Sequence, residues 1–200
     1  IVRYLEICLE KRPGKYMIFF PSYEMLSAVY EIAEKSTLNF VSELIVQEPY
    51  MEERRREEFL ERYQKKSKKS LIGFCVLGSI FSEGIDLTGE SLIGVLIVGT
   101  GLPQICNERE VIREYFDRQQ KKGYDYAYRY PGMNKVLQAA GRVIRTAQDT
   151  GTILLMDERF LERENQKLFP EEWDSYYGVN RQNYGKVLKD FWEERRREES

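Results

Sequence analysis

The eight residues 138–145, Q-A-A-G-R-V-I-R, carry the most distinctive polar chemistry in the chain. Two arginines stand three positions apart, and a glutamine precedes the first of them by four. A guanidinium is planar, permanently charged and forked, so two of them beside an amide suit the oxygens of a phosphate group. This octet predicts a phosphate-contacting site formed by Gln138, Arg142 and Arg145.

The octet falls at the end of a helix predicted over residues 131–145. Pro131 is typical of a first helical turn, and a core-facing stripe with helical spacing follows it, made of Met133, Val136, Leu137, Ala140 and Ile144. The three polar side chains project roughly opposite that stripe. Gly141 costs about 1 kcal/mol of helix propensity relative to alanine, which indicates something packed or bound against the backbone. An ordinary amphipathic helix with two exposed arginines is the alternative interpretation.

Composition narrows the classes of function. Two hundred residues with 42% hydrophobic content indicate one globular domain with a real core. A formal net charge of −2 gives no global basic field of the kind that marks nucleic-acid binders. Histidine is absent, which excludes Ser-His and Cys-His nucleophiles. The three cysteines form no C-x-x-C pair, so the sequence argues against a metal site and indicates a reducing, cytoplasmic location. No apolar run reaches the ~18 residues of a membrane span.

Strand and helix patterns alternate along the chain. Short apolar runs predict strands at 15–20, 44–46, 71–77, 91–99 and 151–157. Helical patterns fall at 2–11, 23–35, 51–66 and 107–121, in addition to 131–145. This alternation predicts a parallel α/β sheet, and the continuous apolar runs of the third and fourth strands predict burial on both faces. The compact domain is expected over residues 1–165. Residues 166–200 are expected to be a tail with a charged helix, either docked by its aromatic residues or partly mobile.

Four further features bear on the function only weakly. The heptapeptide E-E-R-R-R-E-E at 52–58 recurs at 193–199, and both copies are interpreted as solvated helix. The lysines at 65–69 form either a solvated helix end or a phosphate patch. The tyrosines of residues 124–130 either close the core or stack on bases. Residues 156–158, M-D-E, imitate a Walker B strand, but the phosphate loop G-x-x-x-x-G-K-[ST] occurs nowhere in the chain.

Residues 82–86, S-E-G-I-D, followed later by the octet, resemble motifs V and VI of superfamily 2 helicases, specifically the XPD/DinG branch. Residues 16–23 are similar to motif IV of that branch, and residues 151–160 to its closing strand and D-x-R-F element. The resemblance covers about residues 1–165. It implies a RecA-like, P-loop NTPase-type domain of three layers with a mostly parallel central sheet. It also implies that the chain is a fragment, the second motor domain of an ATP-dependent DNA helicase.

The resemblance assigns roles on the nucleotide side. Arg142 and Arg145 are expected to reach the β- and γ-phosphates as arginine fingers, and Gln138 to position the nucleotide or water. Gly141 is expected at the nucleotide as well. Three residues of the earlier motif are expected to couple the nucleotide to the strand-binding face, with Asp86 accepting hydrogen bonds from ribose or arginine: Glu83, Gly84 and Asp86.

The resemblance also assigns partners. Ser22, Tyr23 and Ser82 are expected to contact the backbone of single-stranded DNA, although for Ser22 and Tyr23 a simple turn after a strand is the alternative. ATP and Mg²⁺ are expected to be held mainly by a first motor domain, as is any iron-sulfur cluster. Movement 5′ to 3′ is implied for the whole protein, and this chain alone is expected to be inactive. A non-catalytic interaction module and an RNA-directed motor are the alternative functions.

Overall fold

A computed structural model of the chain describes residues 1–67, 69–82, 92–144 and 149–198. Its centre is a five-stranded sheet in the order β2-β3-β1-β4-β5, with every neighbouring pair parallel. The strands are β1 (Lys15–Phe20), β2 (Ser42–Val46), β3 (Ser70–Val76), β4 (Gly94–Val98) and β5 (Thr152–Met156). The prediction of a RecA-like α/β fold with a mostly parallel sheet is confirmed.

Eight α-helices lie among the described residues. They are α1 (Val2–Lys11), α2 (Tyr23–Glu34), α3 (Leu38–Val41), α4 (Glu53–Gln64), α5 (Asn107–Gln120), α6 (Tyr130–Ala140), α7 (Arg163–Gln166) and α8 (Tyr184–Glu198). A π-helix, Asp125–Arg129, leads directly into α6. Short 3-10 turns occupy Glu158–Leu161 and Glu171–Trp173.

Two hydrophobic clusters form the core, one on each face of the sheet. Alternate side chains of β1 supply both clusters: Met17 and Phe19 point to one face, Ile18 and Phe20 to the other, as the period of two along a strand requires. The first face is covered by α4 and α6, and the second by α1, α2 and α8. The strands predicted to be buried on both faces, β3 and β4, are almost wholly buried, and so is β1 between them. Because both faces are covered within these 200 residues, the chain carries the core that independent folding requires.

The last helix, α8, docks on the domain through its aromatic residues. Tyr184 and Trp192 are both buried. The Tyr184 hydroxyl lies 3.1 Å from the Cys8 sulfur of α1, and the guanidinium of Arg12 lies 5.2 Å from the Trp192 ring centroid. The C-terminal segment was expected to be either docked by its aromatic residues or partly mobile. Its helix α8 is docked in this way in the structure. No helix in the described part of the chain is long and apolar enough to cross a membrane.

The predicted helix over 131–145 is wrong at both ends. Helical backbone begins before Pro131, because the π-helix closes with a bond from the Tyr130 N–H to the Asp125 carbonyl and widens the turn where the proline ring must fit. Pro131 has no N–H to donate to the carbonyl four residues back, on Ala127, and Arg109 Nη1 donates to that oxygen at 3.2 Å.

At its other end α6 stops at Ala140. Gly141 is the C-cap residue, and the following amides make tighter bonds, from Arg142 N to the Ala139 carbonyl and from Val143 N to the Ala140 carbonyl. This turn brings Val143 against Gly151, just before β5 begins.

The parallel strands place their following loops at one edge of the sheet, here called the carboxyl edge. Near its start α6 passes this edge, where a Cβ added to Gly132 would lie 2.7 Å from the Thr100 carbonyl oxygen. It ends at the opposite edge, the amino edge, beside Val143 and Gly151. This helix therefore links the loop after β4 to the entrance of β5.

Candidate functional site

The structure joins the two segments that carry the predicted chemistry. Arg142 Nε and Nη2 both donate to the carbonyl oxygen of Ser82, at 3.1 and 2.9 Å. The two residues are separated by 60 positions in sequence. A charged donor fork on one carbonyl is among the stronger hydrogen-bond arrangements. The turn after α6 is thereby tied to the start of segment 82–86.

Ser82 is a buried end of this link. It is fully buried, and its hydroxyl donates to the Ser79 carbonyl at 2.7 Å. The neighbouring Phe81 packs on Phe59 of α4 with ring centroids 4.3 Å apart, which anchors the loop to the core. The Ser82 side chain is therefore engaged within the protein and is not exposed for contact with a nucleic-acid strand.

The other predicted nucleotide-side residues divide into two groups. Gln138 and Gly141 are exposed at the end of α6. A Cβ added to Gly141 would come within 4 Å only of carbonyl oxygens of its own helix, so the close packing expected there is not supplied by the described part of the chain. Four predicted site residues lie outside the described residues: Glu83, Gly84, Asp86 and Arg145.

Ser22 and Tyr23 lie at the carboxyl edge, directly after β1. The Ser22 hydroxyl accepts from the Met25 N–H at 3.2 Å and caps α2, so the turn interpretation of this residue has a structural basis. The Tyr23 hydroxyl accepts from Gln47 Nε2 at 2.9 Å. Burial raises the pKa of Tyr23, and the Gln47 bond partly opposes that shift. Both side chains remain half-exposed at the edge.

Gln47 is a site residue that sequence reasoning missed. It is buried, and its Oε1 accepts from the Val76 N–H at 2.9 Å while its Nε2 reaches Tyr23. One amide thus fixes the ends of three neighbouring strands, β1, β2 and β3. Its position directly after a predicted strand was the available signal, since polar residues at strand ends gather at one edge of a parallel sheet.

Asp157, at the end of β5, is paired and not free. Arg159 donates to it through Nε at 2.8 Å and through Nη2 at 2.7 Å. These hydrogen bonds hold the pKa of Asp157 below its usual range and raise the pKa of Arg159. The carboxylate that imitates a Walker B residue is therefore occupied. No group of three His, Cys, Asp or Glu among the described residues is arranged to hold a metal, so those residues do not fit a magnesium site of their own.

The tyrosines of the π-helix have mixed roles. Tyr128 is buried and donates to Glu110 of α5 at 2.5 Å, while Tyr126 stacks on Phe116 of α5 with centroids 3.9 Å apart. Tyr124 is 46% exposed. The core interpretation is correct for Tyr128, and the segment as a whole serves mainly to seat α5.

Residues 5–176 match the family model described as the helicase C-terminal domain. The chain belongs to this helicase C-terminal domain family. The match spans the Arg142–Ser82 link, the carboxyl-edge residues and both faces of the sheet, so the geometry described above belongs to a helicase domain. The resemblance to the XPD/DinG branch of superfamily 2 is confirmed.

Curated relatives of this helicase domain are longer proteins. The chain is 28% identical over 192 residues to a regulator of telomere elongation helicase 1 homolog from Aedes aegypti, covering 88% of the chain and 19% of that protein. It is 28% identical over 164 residues to a probable ATP-dependent helicase from Methanocaldococcus jannaschii, covering 76% of the chain and 24% of the relative. The chain therefore spans about a fifth to a quarter of these relatives' length.

Solved structures support the fold. A structure described as an XPD helicase superposes with a TM-score of 0.64 at 19% identity, covering 83% of this chain and 29% of that one. Domain 2 of the DEAD-box helicase Mss116p, bound to an RNA duplex, superposes with a TM-score of 0.51 at 14% identity, covering 84% of this chain and 53% of that one. At these identities the likeness concerns the fold alone.

Proposed function

We propose that this helicase domain is the second motor domain of an ATP-dependent DNA helicase and that it closes on ATP held by a first motor domain of the same protein. The observation that carries the proposal is the bond from Arg142 to the Ser82 carbonyl. It ties the turn after α6 to Ser82, the first residue of segment 82–86. A change at either segment is thereby transmitted to the other.

Arg142 and Arg145 are the proposed arginine fingers. Transfer of the γ-phosphoryl group to water develops negative charge, and a guanidinium placed in advance balances that charge without reorganisation. In GTPases such a finger contributes roughly 10³ to 10⁵ in rate. Gln138, exposed on the same end of α6, positions the nucleotide or water in this proposal. Asp86 accepts from ribose or arginine, and Glu83 and Gly84 complete the coupling loop.

The carboxyl edge is the proposed contact for single-stranded DNA. Ser22 and Tyr23 stand there half-exposed and are held in place by the α2 cap and by Gln47. Contacts from hydroxyls and loop amides to the sugar-phosphate backbone position a strand without selecting its sequence. Ser82, being buried, contributes by shaping its loop. Movement 5′ to 3′ is part of the proposal.

The first motor domain supplies what these residues lack. The phosphate loop is absent from the 200 residues. The magnesium carboxylates, and an iron-sulfur cluster if the protein has one, are therefore assigned to that domain. Magnesium bound there would neutralise phosphate charge, while this chain contributes guanidinium groups and loop amides. A cytoplasmic location stays a prediction.

The test is DNA-stimulated ATP turnover by the full-length protein and its Arg145→Ala and Arg142→Ala variants. Arg145→Ala is expected to lower turnover by about 10³ or more while nucleotide binding stays nearly intact, because the finger acts on transition-state charge. Arg142→Ala is expected to lower turnover and also to weaken stimulation by DNA, because it breaks the Ser82 link. Arg118→Ala, at an exposed arginine of α5 paired with Glu114, is the matched control.

Wild-type turnover in the Arg145→Ala variant would refute the finger assignment and favour an interaction module. The same assay run with single-stranded RNA in place of DNA separates the two nucleic acids as partners. Stronger stimulation by RNA would replace the DNA assignment with an RNA-directed motor.

A further inference from the structure

A recess opens at the amino edge of the sheet, away from the carboxyl-edge residues. It is a cavity of about 460 Å³. Its charged walls come from three separate stretches of chain: residues 12–15 after α1, Ser67 and Lys69 before β3, and Trp192, Arg195 and Arg196 of α8. Its remaining lining comes from Leu92, Ile93, Val143, Asp149 and Thr150.

The walls of this amino-edge cavity are strongly basic. Among the described residues that line it, five side chains are cationic and one, Asp149, is acidic; the cationic ones are Arg12, Lys15, Lys69, Arg195 and Arg196. The whole chain has a formal charge of −2, so this excess is local. A concave site lined by one sign of charge focuses its field and attracts the opposite charge.

Several of these cations are held in place by the protein. The Lys15 ammonium donates to the carbonyl of Lys65 at 3.0 Å and to that of Tyr63, at the end of α4. Arg12 lies over the Trp192 ring, and Arg196 Nε donates to the Trp192 carbonyl at 3.2 Å. Side chains that are already ordered lose less conformational entropy when they bind a ligand.

The described lining of the cavity lies apart from the carboxyl-edge residues and from the Arg142–Ser82 bond. Ser22 and Tyr23 follow the carboxyl end of β1, whereas Gly14 and Lys15, which line the cavity, lie at its amino end. Arg142 is directed to Ser82, while the next residue, Val143, lines the cavity. Two basic segments that were ambiguous or solvated in the sequence contribute to this site, one through Lys69 and the other through Arg195 and Arg196.

We propose that the amino-edge cavity is a binding site for phosphate groups. Guanidinium and ammonium donors converging from three segments match phosphate oxygens in charge and geometry. The volume falls within the ~300–1,000 Å³ typical of ligand pockets. Two sources share this chemistry, the backbone of a nucleic acid and a free polyphosphate. The proposal does not depend on the helicase function.

The test uses the 200-residue chain with Trp173→Phe, so that Trp192 in the cavity wall is the only remaining tryptophan. Sodium triphosphate and oligothymidylate are titrated separately while Trp192 fluorescence is followed at several salt concentrations. Lys69→Gln and Arg195→Gln are each expected to weaken binding at least threefold. For oligothymidylate, each is expected to reduce the slope of log affinity against log salt by about 1. Arg118→Gln removes the same charge from exposed α5 and is expected to change nothing.

The possible results distinguish the two sources of phosphate and include results that would overturn the proposed site. Binding of triphosphate identifies free polyphosphate as sufficient, and binding of oligothymidylate alone identifies the nucleic-acid backbone. Circular dichroism establishes that the variants are folded, and Lys69→Gln leaves the α8 docking untouched if Arg195→Gln disturbs it. Equal affinities for Lys69→Gln and Arg118→Gln, or no response of Trp192 to either probe, would overturn the proposal. ATP turnover of the full-length protein is measured separately, because it tests the proposed helicase function and not the cavity.

Discussion

Gln47 shows how one buried amide organises the carboxyl edge. Its two side-chain atoms bond to groups that follow β1 and lie at the end of β3, while its own N–H donates to the Phe74 carbonyl at 2.8 Å. A buried amide of this kind persists only when its donors and acceptors are satisfied. The position of Tyr23 relative to the loop that leads to Ser82 is therefore set by Gln47.

Replacing Gln47 with leucine is expected to lower the free energy of unfolding by about 1–3 kcal/mol, because the Val76 N–H loses its buried partner. The measurement is urea unfolding followed by circular dichroism. Tyr23→Phe, which removes only the bond at the half-exposed hydroxyl, is the control and is expected to cost less. Equal losses in the two variants would show that the Val76 bond contributes little.

The three cysteines differ sharply in their surroundings. Burial raises the pKa of Cys8 to about 11, against a smaller opposing effect of the Tyr184 hydroxyl. Burial also raises the pKa of Cys75, whereas Cys106 is exposed. The thiolate is the reactive form, so at pH 8, well below the Cys8 pKa, only about 1 in 10³ of that thiol is ionised.

A chromogenic disulfide reagent at pH 8 is therefore expected to react quickly with one thiol of the native chain, Cys106. All three thiols should react in urea, where burial is lost. Cys106→Ser should eliminate the fast phase. A second fast thiol in the native chain would show that one of the two faces of the sheet opens readily.

At the scale of elements, α6 positions the arginine-bearing turn. Its first turn crosses the loop after β4 so closely that neither backbone tolerates a side chain: a Cβ on Gly101 would lie 2.6 Å from the Gly132 carbonyl oxygen. Gly101 also has φ of +68°, in the left-handed region that favours glycine. The crossing fixes the start of the helix, and the Arg142 bond fixes its end.

Gly132→Ala is expected to destabilise the chain by about 1–3 kcal/mol, because the new methyl group would meet the backbone of Thr100 and Leu102 and force α6 away. Thermal unfolding measures the change. Gly178→Ala is the control, since no atom lies within 4 Å of its added Cβ. If both variants unfold at the same temperature, the crossing does not constrain α6.

For the whole molecule, the sheet separates two surfaces of different chemistry. The carboxyl edge presents hydroxyls and a satisfied amide network, and the amino edge presents a basic cavity. The Arg142–Ser82 link lies on the face covered by α4 and α6, between the two edges. In the proposed function the nucleotide would be met through this face, and the two edges would stay available for other ligands.

The sequence alone determined the class of fold and the family. Apolar runs such as residues 15–20 and 94–98 specify buried strands locally, because burial on both faces of a parallel sheet leaves no room for polar side chains. The spacing of residues 82–86 and 138–145 carried the family resemblance without any structure. Each of these signals lies within a short stretch of sequence, so it can be recognised from the order of the residues alone.

Only the tertiary structure decided where the chemistry lies. The end of α6 at Ala140, the bond between Arg142 and Ser82, and the three-strand role of Gln47 all depend on contacts between distant parts of the chain. The amino-edge cavity likewise gathers charges from both termini and the middle of the sequence. Local propensity is silent about such contacts, because the free energy that forms them comes from packing the two faces of the sheet and from satisfying buried polar groups.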